Sequence, residues 1–312
     1  MTTRLGFFAL VFLLLSPKFL CSQDSLSTTV AQQGDGIFSI LRKSGIDPIK
    51  YYGEFLKLNP ENIRNASELI VGKTYILPDA PDSFKKMGIR INIDTGKEHP
   101  IFDRELNKMV LKDSTLQNTV YYLIHFKNPT VETPKKEGDR NLVKMARELL
   151  LKGARAYILE DGLETIPLEA QKKYRLGEFA TIINKKYLTH NGAYQRVLVI
   201  QDQNMNNKNY TLSVRHYEQS KEGEKLAANL REILTKNTLG KRSAKNNGVP
   251  FKDEASIFFA RNILPPVTTI AINDISEITK SDIRMKTSKE RLPLMITKGI
   301  LLDYSKLDFE DR

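Results

Sequence analysis

The chain is almost without cysteine: Cys21 is the single one among 312 residues. A disulfide within one molecule is therefore excluded, as is cysteine-based zinc-finger spacing. No block of five or six consecutive lysines and arginines occurs, so no basic arm of the kind that grips nucleic acid is present. No Ser-His-Asp signature, no phosphate-cradling glycine loop and no basic-aromatic surface of a nucleic-acid reader is found. After residue 15 no stretch is apolar enough to span a bilayer. What is there suits a globular protein of one or two domains with a real core: 40% hydrophobic and 27% charged residues. The formal charge of +11 favours anionic partners, such as nucleic acid, a membrane surface or the acidic peptides of a cell wall. A solvated basic surface accounts for it equally well.

The start of the chain bears on its compartment. Arg4 precedes an apolar run from Leu5 to Leu15, and Ser16, Pro17 and the polar Ser22-Gln23-Asp24-Ser25 follow. This pattern reads as a secretory signal peptide over residues 1–23, cleaved near Ser22 or Gln23. Loss of Arg4 and Lys18 would bring the charge from +11 to +9. The expected location is the periplasm or cell envelope. Cys21 has two readings. As a lipid-anchor cysteine it has a poor lead-in, Lys18-Phe19-Leu20, where small residues are expected. If cleavage falls after it, the mature chain has no thiol chemistry at all.

Two folded units follow. The first, residues 27–78, reads strand, helix, helix, strand. Thr28 to Ala31 is a strand candidate, and Gln33-Gly34-Asp35-Gly36 is a turn, with Asp35 placed to cap the next helix. Ile37, Ile40 and Leu41 recur at helical spacing. Pro48 opens a second helix with Tyr52, Phe55 and Leu56 inward. Leu69 to Leu77 is the closing strand. Residues 79–100 read as a linker, with enough alternation over Ile89 to Ile93 for a short strand. From 101 to 312 strands alternate with helices, which predicts an α/β fold with a mainly parallel sheet covered on both faces.

The first unit resembles the LysM module through V-A-Q-Q-G-D-G-I-F-S-I, L-K-L-N-P and L-I-V-G-K-T-Y-I-L-P, in that order. The resemblance implies a βααβ module that binds the N-acetylglucosamine of peptidoglycan glycan strands. The binding loops carried over are Gly34, Asp35, Gly36 and Ile37, and Asn59, Pro60, Glu61, Asn62 and Ile63. Glycines at 34 and 36 let a sugar approach the backbone closely; the plainer reading is that they only form a tight turn and that Asp35 only caps.

The second unit resembles zinc-dependent N-acetylmuramoyl-L-alanine amidases of the kind joined to LysM modules in secreted Gram-negative proteins. The segments that carry this include P-I-F-D-R-E-L-N-K-M-V-L-K-D at 100–113, V-Y-Y-L-I at 120–124 and A-R-E-L-L-L-K-G-A at 146–154. Y-Q-R-V-L-V-I at 194–200, H-Y-E-Q-S-K-E-G-E-K-L-A-A-N-L-R-E at 216–232 and A-R-N-I-L-P-P-V at 260–267 extend it. The resemblance implies a zinc ion held by two histidines and a glutamate, with a second glutamate moving protons. At the corresponding positions stand Lys127, Pro134, Gln201 and Ala271. A lysine must lose a proton to bind zinc, proline brings no donor, a glutamine amide is a weak ligand, and alanine cannot carry protons. The expectation is a peptidoglycan-binding pseudo-amidase without cofactor, acting as a scaffold or as a regulator of cell-wall hydrolases or other envelope proteins. The alternative is an active amidase with a rearranged metal site built from His125, Glu137 (or Glu132) and Asp202. His125 also reads as a histidine bonded to backbone, and Glu137 as a helix-start carboxylate.

Overall fold

A computed structural model describes residues 27–65, 67–127, 135–161, 169–202, 210–236, 249–274, 282–285 and 288–310. The proposed signal peptide, Cys21, Glu132 and Pro134 lie outside the described residues. The N-terminal unit comprises β1 (Thr28–Val30), α1 (Ile37–Lys43), α2 (Pro48–Leu58), β2 (Ile63–Arg64), β3 (Glu68–Leu69) and β4 (Thr74–Ile76). β1 pairs antiparallel with β4, Thr28 opposite Ile76. Helix α2 starts where expected because the Asp47 carboxylate accepts from the Ile49 N–H at 2.9 Å and Pro48 fills the first position. Phe55 faces inward as expected and Tyr52 and Leu56 pack against the same core, but Tyr51, not expected there, is buried as well. Tyr51 and Phe55, four apart, are buried, while Tyr52 and Leu56 are only half-buried. Phe55 stacks on Tyr75 of β4 with ring centroids 5.9 Å apart, closing a small core with Ile37, Ile40 and Leu41.

The segment read as a linker divides in two. A single helical turn, α3 (Phe84–Met87), is followed by β5 (Gly88–Asn92) and β6 (Glu98–Pro100), and both strands belong to the large sheet. Only the part before residue 88 connects the units, and it is clamped. The Phe84 N–H donates to the Gly45 carbonyl at 2.9 Å. Arg155 donates to the carbonyls of Lys86 (2.6 Å) and Pro81 (3.2 Å). Tyr51 donates to Asp82 at 2.6 Å, and Lys50 pairs with the same carboxylate at 2.5 Å.

The remaining elements are β7 (Thr119–Lys127), α4 (Lys135–Leu150), β8 (Arg155–Glu160), α5 (Glu169–Thr189), β9 (Tyr194–Asp202), β10 (Tyr210–His216), α6 (Lys221–Thr235), β11 (Val249–Pro250), α7 (Glu254–Asn262), β12 (Val267–Asp274), β13 (Ile283–Met285) and α8 (Leu292–Glu310). Nine strands form one sheet in the order β11-β10-β12-β9-β7-β8-β5-β6, with β13 also on β10. The central five, β12-β9-β7-β8-β5, run parallel, and β10 is antiparallel to β12. The fold is α/β with a mostly parallel sheet between helices, as the alternation of elements predicts. One face carries Tyr121, Leu123, Leu198, Ile200, Ile270 and Ile272 under α4, α6 and α8. The other carries Val120, Tyr122, Ile124, Val197, Val199 and Val267 under α5 and α7. Burial on both sides is why these strands read as unbroken apolar runs.

Candidate functional site

In open parallel sheets, ligands gather beyond the carboxyl ends of the strands. Here those ends are Asn92, Glu160, Lys127, Asp202 and Asp274. Three of the four positions singled out in the sequence lie there. Gln201 and Ala271 are partners in the β9–β12 ladder, and Phe126 is the partner of Gln201 on β7. Ser213 of β10 sits on the far side of Ala271. This row, Phe126-Gln201-Ala271-Ser213, belongs to the face under α5 and α7, where Phe126 meets Phe179 edge-on at 5.4 Å. Ala271 is 1% exposed and Gln201 half-buried. Lys127 comes one position later, opposite Asp202. In the strict alternation of β7 that position has the parity of Leu123 and His125, the opposite face.

These residues do not fit a catalytic zinc ion. Ala271 supplies no donor atom, Gln201 supplies only an amide, and among the described residues no three His, Cys, Asp or Glu groups converge closely enough to hold a metal. The alternative set shares one face: positions 125 and 202 both fall on the side covered by α4, the helix that carries Glu137. His125 itself is half-buried and engaged. Directly below the ends of β9 and β12 on that side the packing is apolar, with Leu142, Met145, Ile200, Ile272 and Leu292 around a narrow crevice.

Two ion networks at the strand ends escaped the sequence reading. Arg90 of β5 pairs with Glu160 at the end of β8 and with Asp139 of α4, the latter at 2.9 Å. Arg175 of α5 pairs with Asp161, with Asp94 at 2.6 Å and with Glu178 at 2.5 Å. Burial opposes the Arg175 charge, but hydrogen bonds to Asp161 and Asp94 outweigh it and hold the guanidinium above its ordinary value. The available signal was a lone Arg90 between Ile89 and Ile91, and the acidic Glu160-Asp161 just past an apolar strand.

At the glycan loops, the structure separates inward from outward residues. Asp35 does not cap α1: Gly36 is the N-cap, with no side-chain cap bond. The Asp35 carboxylate instead accepts from the Gln32 N–H (3.0 Å), the Ser39 hydroxyl (2.8 Å) and Lys43 (2.5 Å). Burial acts to raise its pKa, and the hydrogen bonds from Lys43, Gln32 and Ser39 overcome this and lower it. Ile37 is core. Asn59 is buried too: its amide donates to the Phe55 and Ile76 carbonyls, both at 2.8 Å, and accepts from the Ile76 N–H at 2.8 Å. Those three side chains are thus engaged within the fold, Ile37 and Asn59 buried and Asp35 half-buried. Gly34, Gly36, Pro60 and Glu61 are exposed, and Asn62 and Ile63 half-exposed. A side-chain carbon placed on Gly34 or Gly36 would meet nothing within 4 Å, so both glycines border open space.

No protein-family model and no curated protein matches this chain. Solved structures similar to it include amidases at low identity. The CwlD amidase from Clostridioides difficile, in complex with the GerS lipoprotein, is 16% identical, with 61% of this chain and 99% of that one covered and a TM-score of 0.39. The N-acetylmuramyl-L-alanine amidase Ami1 from Mycobacterium smegmatis is 10% identical, with coverage of 61% and 99% and a TM-score of 0.39. The N-acetylmuramoyl-L-alanine amidase AmiC2 of Nostoc punctiforme is 15% identical, with coverage of 62% and 98% and a TM-score of 0.31. Likeness at this level decides nothing about the site.

Proposed function

We propose that this chain is a secreted peptidoglycan-binding pseudo-amidase that holds glycan strands through its N-terminal unit and acts in the envelope as a scaffold or regulator. The observation that carries the reading is the Gln201–Ala271 pair. The two positions where the sequence resemblance expects a zinc ligand and the general base are neighbours at the ends of adjacent parallel strands, and neither side chain can do that work. The glycan half of the reading is supported by the open backbone at Gly34 and Gly36 beside the exposed Pro60 and Glu61. The basic composition fits an acidic wall.

The test is a zinc measurement on the purified mature chain together with release of dye from labelled peptidoglycan, with and without added zinc. Stoichiometric zinc accompanied by release would sink the pseudoenzyme reading. A second reading, a working amidase with a rebuilt site, rests on positions 125 and 202 sharing the face covered by α4. It requires zinc that is lost in His125→Ala.

A further inference from the structure

A groove of about 410 Å³ lies at the junction of the two units. It is lined from the N-terminal unit by Arg42, Ile46 and Ile49, and from the other side by Met87, Met109 and the stretch Val110-Leu111. Several features distinguish it from ordinary surface. Ile49, Val110 and Leu111 are 84%, 58% and 42% exposed, three aliphatic side chains converging where water is displaced at a gain. The two methionines give an adaptable floor. The main chain is also incomplete there. Met109 is extended, and Lys112 is anchored through its N–H to the Leu151 carbonyl at 2.7 Å. Among the described residues, Val110 and Leu111 between them make no backbone hydrogen bond. Charge adds a direction. Lys50 is paired with Asp82, and Asp47 is engaged in capping α2, whereas no ion pair of Arg42 is found among the described residues.

We infer that this groove binds an extended polypeptide segment of a partner protein. The segment's main chain pairs with Val110 and Leu111 as an added strand, an aliphatic side chain enters between Ile49 and the two methionines, and a carboxylate meets Arg42. Strand addition of this sort draws affinity from main-chain hydrogen bonds and selectivity from alternate side-chain pockets. A bonded L-peptide fits better than a wall stem peptide. Inverted or side-chain-linked residues break the alternation that the pairing requires.

The experiment uses the full mature chain and a panel of fluorescein-labelled pentapeptides of the form Thr-Val-Thr-Val-Xaa, each with a free or an amidated C-terminus. Anisotropy titration is expected to find saturable binding by members with an aliphatic last residue, and weakening by about tenfold on amidation or in Arg42→Glu. Ile49→Asp is expected to abolish binding without unfolding the chain, since Ile49 is solvent-facing in the first turn of α2, where an acidic residue is favoured. Hydrogen exchange of the complex should slow at Val110 and Leu111. The inference is overturned if no panel member binds more tightly than about 1 mM. It is equally overturned if binding is unchanged in Ile49→Asp, or if exchange at Val110 and Leu111 is unaltered. Displacement of the pentapeptide by an equal concentration of digested wall muropeptides would give the groove to the wall instead of a protein partner. Loss of sacculus binding with pentapeptide binding intact would overturn only the wall-binding reading.

Discussion

Gln201 of β9 and Ala271 of β12 stand side by side in a parallel ladder, with Phe126 and Ser213 completing the row. Ala271 is 1% exposed, so this end of the sheet is closed around a methyl group. Ala271→Glu therefore introduces an unpaired carboxylate into packed space. It is expected to destabilise by roughly 2–4 kcal/mol, read by urea unfolding. The double variant Gln201→His, Ala271→Glu is expected to release no dye from labelled peptidoglycan, with or without added zinc. Restored release would mean that only two side chains separate this chain from a hydrolase.

Gly36 is the N-cap of α1 at φ −114°, a conformation open to any residue, and it faces free space. Gly36→Arg should cost at most about 1 kcal/mol, since a cation at a helix N-terminus is disfavoured, while blocking the loop, so retention on purified sacculi is expected to fall at a temperature where the fold persists. Gly34, at φ +86°, is a poorer choice, because any side chain there is strained. Retention equal to the parent's in Gly36→Arg would remove this loop from the glycan site.

Asn59 ties the end of α2 to β4 through three hydrogen bonds. Asn59→Ala leaves the buried Ile76 N–H and two carbonyls unmatched and is expected to cost about 2–3 kcal/mol, measured as a lower urea midpoint. Its effect on sacculus binding at a temperature where the fold persists should be small. A large loss of binding in a fully folded variant would return Asn59 to the sugar.

Acid should weaken the fold in two separate windows. Burial, with repulsion from Arg155 and Lys186, lowers the His190 pKa from 6.5 to about 4. The unfolded chain takes up that proton first, so this contribution is complete above pH 6.5 and is lost as pH falls towards 4. Hydrogen bonds from Lys152 and Thr115 lower Asp113 from 3.8 to about 2, and that contribution disappears only between those values. Melting temperatures followed from neutral pH downward should show both declines. In His190→Gln the upper decline should flatten and the lower one persist. An unchanged upper decline would show that some other group is responsible.

The strand-helix alternation from Val120 to Tyr304 was legible because the strands are buried on both faces and the helices carry clear apolar stripes. On α2 the sequence pointed to Tyr52, Phe55 and Leu56, which do pack on the small core, but not to the more deeply buried Tyr51, because Tyr51 and Tyr52 are equally apolar in sequence. The Gly88 to Pro100 segment looked like a linker because β6 is a short edge strand bearing Glu98 and His99, with no apolar pattern. The antiparallel direction of β10 is set by pairing with β12, which nothing in its own residues encodes. At the candidate site, the unusual residues at 201 and 271 could be located from the sequence. That position 127 has the opposite parity could not, since parity depends on where the β7 ladder begins.

The clamp on residues 81–86 has a mechanical consequence. Arg155 grips the connection from one side and Gly45, Lys50 and Tyr51 from the other, so the link between the two units is bonded to both of them. A molecule held by residues 27–78 would inherit a heading for its sheet. Attachment would then orient as well as anchor, setting which surface faces the wall and which faces the neighbouring proteins.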